Sequence, residues 1–184
     1  MKKILLILLS LSLILPLVSC ASSLDAGTAP TAAETSEETE TEEQSTEEKE
    51  IKIPEGVTYI SKHLLNGCPA LESVSLPHSI EYIGAYSFAD CSALTHFEIP
   101  DNTDTIADNA FYGCTALQEL TVGTGIRVIG SEAFANCSAL HNIYMKTPDI
   151  ARCTIDSTTF TGIDTANCTV YIPQGAMAAY TQHP

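Results

Sequence analysis

The chain has 184 residues, 45% of them apolar, and 23 acids against 8 bases give it a net charge of −15. That balance excludes nucleic acid as a partner, because no basic patch is present to neutralise phosphates. The acidity is spread along the chain, so it is a property of the folded part as well as of its flank.

Residues 1–20 have the layout of a secretory leader: Lys2 and Lys3 precede an apolar run from Ile4 to Val18, closed by Leu17-Val18-Ser19-Cys20. The run is too short for a comfortable spanning helix and contains Pro16. Its closing tetrapeptide resembles the bacterial lipobox, in which the thiol, here Cys20, receives a diacylglycerol and becomes the mature N-terminus. Each buried methylene of such an anchor contributes about 0.8 kcal/mol, so two or three acyl chains hold where one does not.

Residues 21–50 are Thr, Ser, Ala and Glu with almost no apolar side chains, and ten acids against Lys49 make the stretch −9. Such a segment cannot offset its chain entropy and is expected to be a disordered, self-repelling tether, reaching between about 30 and about 100 Å.

From residue 51 onward a unit of 23 residues repeats. Cys68, Cys91, Cys114 and Cys137 share that interval, as do Leu71, Leu94, Leu117 and Leu140, and Ile60, Ile83, Ile106 and Ile129. Matching columns at a fixed period are the mark of a solenoid. Within each unit, Val74-x-Leu76, Phe97-x-Ile99, Leu120-x-Val122 and Ile143-x-Met145 alternate with polar residues, which predicts a strand with one buried face and, on stacking, a parallel sheet. A second short extended segment leads into the isoleucine column. The stretch from Ala85 to Ala89 and its equivalents, carrying Phe88, Phe111 and Phe134, predicts a brief helical or 3₁₀ turn. Gly67, Asp90, Gly113 and Asn136 precede the cysteines and tolerate left-handed backbone, placing a tight turn there.

The unit resembles the BspA-like leucine-rich repeats, whose pattern is similar to Ile-Pro-x-x-Val-x-x-Ile-Gly-x-x-Ala-Phe-x-x-Cys-x-x-Leu-x-x-Ile, over residues 51 to about 173. The resemblance implies an α/β solenoid, a right-handed leucine-rich repeat coil of short parallel strands, displayed on a cell surface and credited with adhesion. It implies no catalytic residues and no cofactor. Gly123 and Lys146 depart from the proline of the pattern, and Thr103 from its first aliphatic residue.

The last coil, about 146–184, is irregular. Phe160-Thr161-Gly162-Ile163 matches Phe111-Tyr112-Gly113-Cys114 after a phase shift of three, Val170-Tyr171-Ile172-Pro173 restores the strand pattern, and residues 174–180 predict a short helix closing the open end. The column cysteines read as small buried hydrophobes, with Cys153 and Cys168 the better disulfide candidates of an exported chain.

The histidines occupy different registers and build no metal pair, and no glycine-rich phosphate loop follows a strand. What recurs is an outward face. On the main sheet it comprises Ser73 and Ser75, His96 and Glu98, Glu119 and Thr121, Asn142 and Tyr144, as two ladders spaced at about 4.8 Å. On the second strands it comprises Tyr59, Tyr82, Thr105 and Val128, with Glu81, Asp104 and Arg127 beside them. Solenoids recognise partners through such arrays, and aromatic residues are common anchors. The sequence therefore predicts a lipid-anchored, surface-exposed protein that binds an extracellular protein or glycan without chemistry. The alternative is an accessory subunit of a bacterial envelope complex.

Overall fold

The computed structural model of the protein describes residues 49–182, so Cys20, the leader and most of the expected tether lie outside the described residues. Eleven short strands are wound into successive coils: β1 (Glu50–Lys52), β2 (Tyr59–Ile60), β3 (Ser73–Ser75), β4 (Tyr82–Ile83), β5 (His96–Ile99), β6 (Thr105–Ile106), β7 (Glu119–Val122), β8 (Val128–Ile129), β9 (Asn142–Met145), β10 (Thr154–Ile155) and β11 (Thr169–Tyr171). All pairings are parallel. One wall of each coil is the two-residue strand, stacked in the order β2-β4-β6-β8-β10. Another is the longer strand, which forms the pair β1-β3 and the four-stranded sheet β5-β7-β9-β11.

The 23-residue columns become ladders: Ile60 pairs with Ile83, Ile83 with Ile106 and Ile106 with Ile129, and Phe97 with Leu120, then Ile143. Their inward side chains are buried, as are those of Leu71, Leu94, Leu117 and Leu140. Phe88, Phe111, Phe134 and Phe160 stack face to face at 5.1, 5.0 and 5.6 Å, and Phe97 meets Phe88 and Phe111 edge-on. Offset stacking and edge contacts are the favoured ring geometries, so the column gains beyond simple burial.

The third wall is where sequence and structure part. Residues 85–90 and their equivalents are turns, with no helix among them. Every second N–H leaves the coil: those of Tyr86, Phe88 and Asp90 donate to the carbonyls of Asp108, Ala110 and Tyr112 in the next one. The N–H groups between them, on Ser87, Ala89 and Cys91, close local turns on Gly84, Tyr86 and Phe88. A helix would spend all these donors internally, whereas the alternation knits neighbouring coils. It requires left-handed backbone at two places per coil. One is the expected column, Gly67, Asp90, Gly113 and Asn136, with Gly162 continuing it; the other is His63, Tyr86, Asn109 and Glu132, at φ between 53° and 58°.

The column cysteines are buried as expected, but Cys91, Cys114 and Cys137 also work as donors. Each thiol reaches a carbonyl of the preceding coil: Leu65 at 3.1 Å, Phe88 at 3.1 Å and Phe111 at 3.3 Å. An alanine would remove that donor, leaving the Phe88 and Phe111 carbonyls with only the turn N–H groups of Cys91 and Cys114. Cys68, also buried, is not one of the free thiols. Thr103, the departure from the aliphatic pattern, is fully buried and donates to the Ile80 carbonyl at 3.0 Å.

Two expectations for the last coil are corrected. Cys153 and Cys168 are not joined in a disulfide. Cys153 sits buried just before β10 and Cys168 just before β11, on different walls of the coil. The extra residues of this coil include a 3₁₀ turn at Ile150–Arg152. The closing helix, α1 (Met177–Gln182), exists, and Tyr180 donates its hydroxyl to the Thr147 carbonyl at 2.7 Å. The helix covers Met177–Gln182 rather than residues 174–180, and Phe160 is half-buried and Val170 51% exposed.

Candidate functional site

The outward residues of the main sheet fall into register as two ladders. His96, Glu119, Asn142 and Thr169 form one, and Glu98, Thr121, Tyr144 and Tyr171 the other. On β5, β7 and β9 the alternate residues are buried, so the core fixes the direction of the outward ones, whereas on β11 Val170 is itself exposed. Asn142 donates to Glu119 at 3.2 Å. Lys146, just beyond β9, reaches back past one coil to Glu98 at 2.8 Å, which raises its pKa. Tyr144 and Tyr171 stack with centroids 4.6 Å apart and 11° between planes. Partial burial and the charge of Glu119 raise the Tyr144 pKa, keeping its phenol a neutral donor.

Beside the tyrosine pair lies an open groove of about 500 Å³, lined by Thr121, Tyr144, Met145, Lys146, Tyr171, Ile172 and Pro173. It offers an apolar floor with hydroxyl, ammonium and phenol groups at its edge. Lys146 is engaged by Glu98, and Glu119 adds a second carboxylate, so these charged side chains leave the face net acidic.

The remaining expected residues lie elsewhere. Tyr59 and Tyr82 stack at 5.0 Å on the two-residue-strand wall, with Glu81 exposed beside Tyr82. They belong to a different sheet from His96, Glu98, Glu119, Thr121, Asn142 and Tyr144, so the nine candidates divide into two surfaces. Sequence reasoning left out Tyr171, Ile172 and Pro173. Their signal was the return of the apolar-x-apolar pattern after the phase shift, which places Tyr171 in the ladder of Tyr144.

The comparisons with known proteins agree with this architecture. The family model for the BspA type leucine rich repeat region matches six copies over residues 43–171. No curated protein sequence matches the chain. Among solved structures, a leucine-rich repeat protein from Bacteroides ovatus is 22% identical with a TM-score of 0.57, covering 71% of this chain and 31% of that one. The T. pallidum leucine-rich repeat protein is 26% identical with a TM-score of 0.56, covering 66% and 57%. The pneumococcal vaccine antigen PcpA is 23% identical with a TM-score of 0.60, covering 71% and 32%. The chain thus spans roughly a third to somewhat over half of the length of these relatives. None of these matches points to an enzyme family. With the repeat period, the stacked coils and a family model spanning most of the chain in agreement, this protein belongs to the BspA-type leucine-rich repeat family.

Proposed function

We propose that the protein is a non-catalytic binding module of the bacterial surface, held to the membrane by lipid on Cys20 and gripping an extracellular protein or glycan through the outward face of β5, β7, β9 and β11. The observation that carries this reading is the pair of continuous side-chain ladders ending in the stacked Tyr144–Tyr171 pair beside its groove. Rigid aromatic surface of this kind supplies contact area at little entropic cost. The leader-like N-terminus supports export, and one protein of the same fold is described as a vaccine antigen, in keeping with surface exposure. A stack of about five coils offers a modest face, so many anchored copies acting together supply avidity.

The test has two arms. Cys20→Ala is expected to release the exported protein from the membrane fraction. Labelled protein lacking the leader is expected to bind host matrix or foreign cells. Capture of only one envelope partner from the same cell, with no foreign binding, would replace this reading with that of an accessory subunit.

A further inference from the structure

Asn66 is followed by Gly67, the one Asn-Gly pair of the sequence; every other asparagine precedes Thr, Ala, Cys or Ile. Glycine leaves its own peptide nitrogen least hindered, so this dipeptide closes a five-membered succinimide ring more readily than any other asparagine pair. The glycine is there because the fold demands it: Gly67 has φ 70°, in the left-handed column continued by Asp90, Gly113, Asn136 and Gly162. The residue ahead of that column is Asn66 in the first coil but Ala89, Tyr112, Ala135 and Thr161 in the later ones, so the pair arises once.

The surroundings of the pair pull in two directions. Asn66 is exposed, its Nδ2 3.4 Å from His63 Nδ1, so water reaches the carboxamide. The Gly67 nitrogen is occupied: its N–H donates to the Ala89 carbonyl at 2.7 Å, while those of His63 and Leu65 hold the same wall to Ala85 and Ser87 at 3.0 and 2.8 Å. That wall is the more lightly packed one. Leu65, half-buried, stands in the register of Phe88, Phe111 and Phe134, which are fully buried and stacked on one another. A segment with less buried apolar contact opens at lower cost than its neighbours.

We propose that Asn66 and Gly67 form a self-modifying site gated by the stack: silent while Gly67 is bonded to Ala89, and converting when the turn wall of the first coil opens. In the open state the Gly67 nitrogen gives up its proton to water or hydroxide and bonds to the side-chain carbonyl carbon of Asn66. The carboxamide carbon–nitrogen bond then breaks, and the departing nitrogen takes up a proton and leaves as ammonia. Water reopens the succinimide at one of its two carbonyls, giving either an aspartate or an isoaspartate whose main chain runs through the side-chain carbon. Nothing is oxidised or reduced, and water is the only co-reactant. The isoaspartate adds one carbon to the main chain between the Leu65 and Gly67 donors, so the two no longer match the spacing of the Ser87 and Ala89 carbonyls. A coil that has opened and reacted in this way does not close as before.

The experiment incubates the full chain in nonionic detergent at physiological temperature and mildly alkaline pH, folded or unfolded in guanidinium chloride, and follows each asparagine by peptide mapping. In denaturant Asn66 is expected to convert ahead of every other asparagine, and in the folded protein at least about tenfold more slowly, since reaction through an open state tracks its population. Gly67→Ala is expected to remove most of the reaction in denaturant, a comparison that needs no folded variant. The isoaspartyl form, isolated by its added negative charge, is expected to unfold at lower urea than Asn66→Asp, which carries the same charge on an ordinary main chain. Equal rates in the folded and unfolded chain would overturn the gate, and an Asn66 no faster than Asn102 or Asn167 in denaturant would overturn the site. An isoaspartyl form as stable as Asn66→Asp would overturn the claim that the converted coil cannot close.

Discussion

The carboxylate of Asp90 occupies the space that a β-carbon on Gly113 would need, and the amide of Asn136 does the same above Gly162. The left-handed column therefore alternates, Gly67, Asp90, Gly113, Asn136, Gly162, because an Asx side chain in one coil fits over a bare backbone in the next. Gly113→Ala meets both the left-handed penalty and the collision, and is expected to cost about 2 kcal/mol or more in urea unfolding. Combining it with Asp90→Gly should recover the collision part and leave the backbone part, a coupling that a double-mutant cycle reads directly.

Ser87 is fully buried and its hydroxyl finds no hydrogen-bond partner among the described residues, while Ala110 and Ala133 hold the same register in later coils. Ser87→Ala is expected to stabilise the fold by about 1 kcal/mol, since it removes a desolvated group and leaves no void of consequence. Thr103→Val should move the midpoint the other way by a similar amount, because the Ile80 carbonyl loses its donor. Equal shifts of one sign would refute this distinction.

The thiol column also governs behaviour in base. Burial pushes Cys91 up to about 12 from 9.0, and Cys153 up to about 11; the hydrogen bond with Cys137, then burial, raises Cys114. A group whose folded pKa lies above its unfolded one gives stability that is complete below the unfolded value. The unfolded chain sheds its protons first, so stability falls as pH rises from about 9 towards about 12. Urea midpoints under reducing conditions at pH 8, 10 and 11 are expected to decline in that order. A midpoint that holds or rises would show that the thiols are not buried in the native state.

Much of this was readable from columns. Cys91, Leu94 and Ile83 repeat in step with their equivalents because each must meet its own copy one coil away, and that demand writes the core directly into the sequence. The turn wall was less legible. Tyr86 and Glu132 adopt left-handed backbone although neither residue type favours it, since stacking against Asp108–Asn109 and Thr158–Thr159 overrides local preference. For the candidate site, the ladders through His96 to Tyr144 followed from alternation alone. Tyr171 was hidden because inserted residues, including those of the 3₁₀ turn, break the 23-residue count before β11. Nothing in the pattern distinguishes the sheet of Tyr59 and Tyr82 from that of Tyr144; the proposed reading favours the latter because a groove lies beside Tyr144.

The binding claim is tested most directly by comparing two double variants for binding to the same captured protein or glycan, with folding checked by circular dichroism. Tyr144→Ala with Tyr171→Ala is expected to lose tenfold or more in affinity, roughly the share carried by central aromatic anchors, while Tyr59→Ala with Tyr82→Ala stays near the unmodified chain. Undiminished binding by the first pair, or loss confined to the second, would contradict the account.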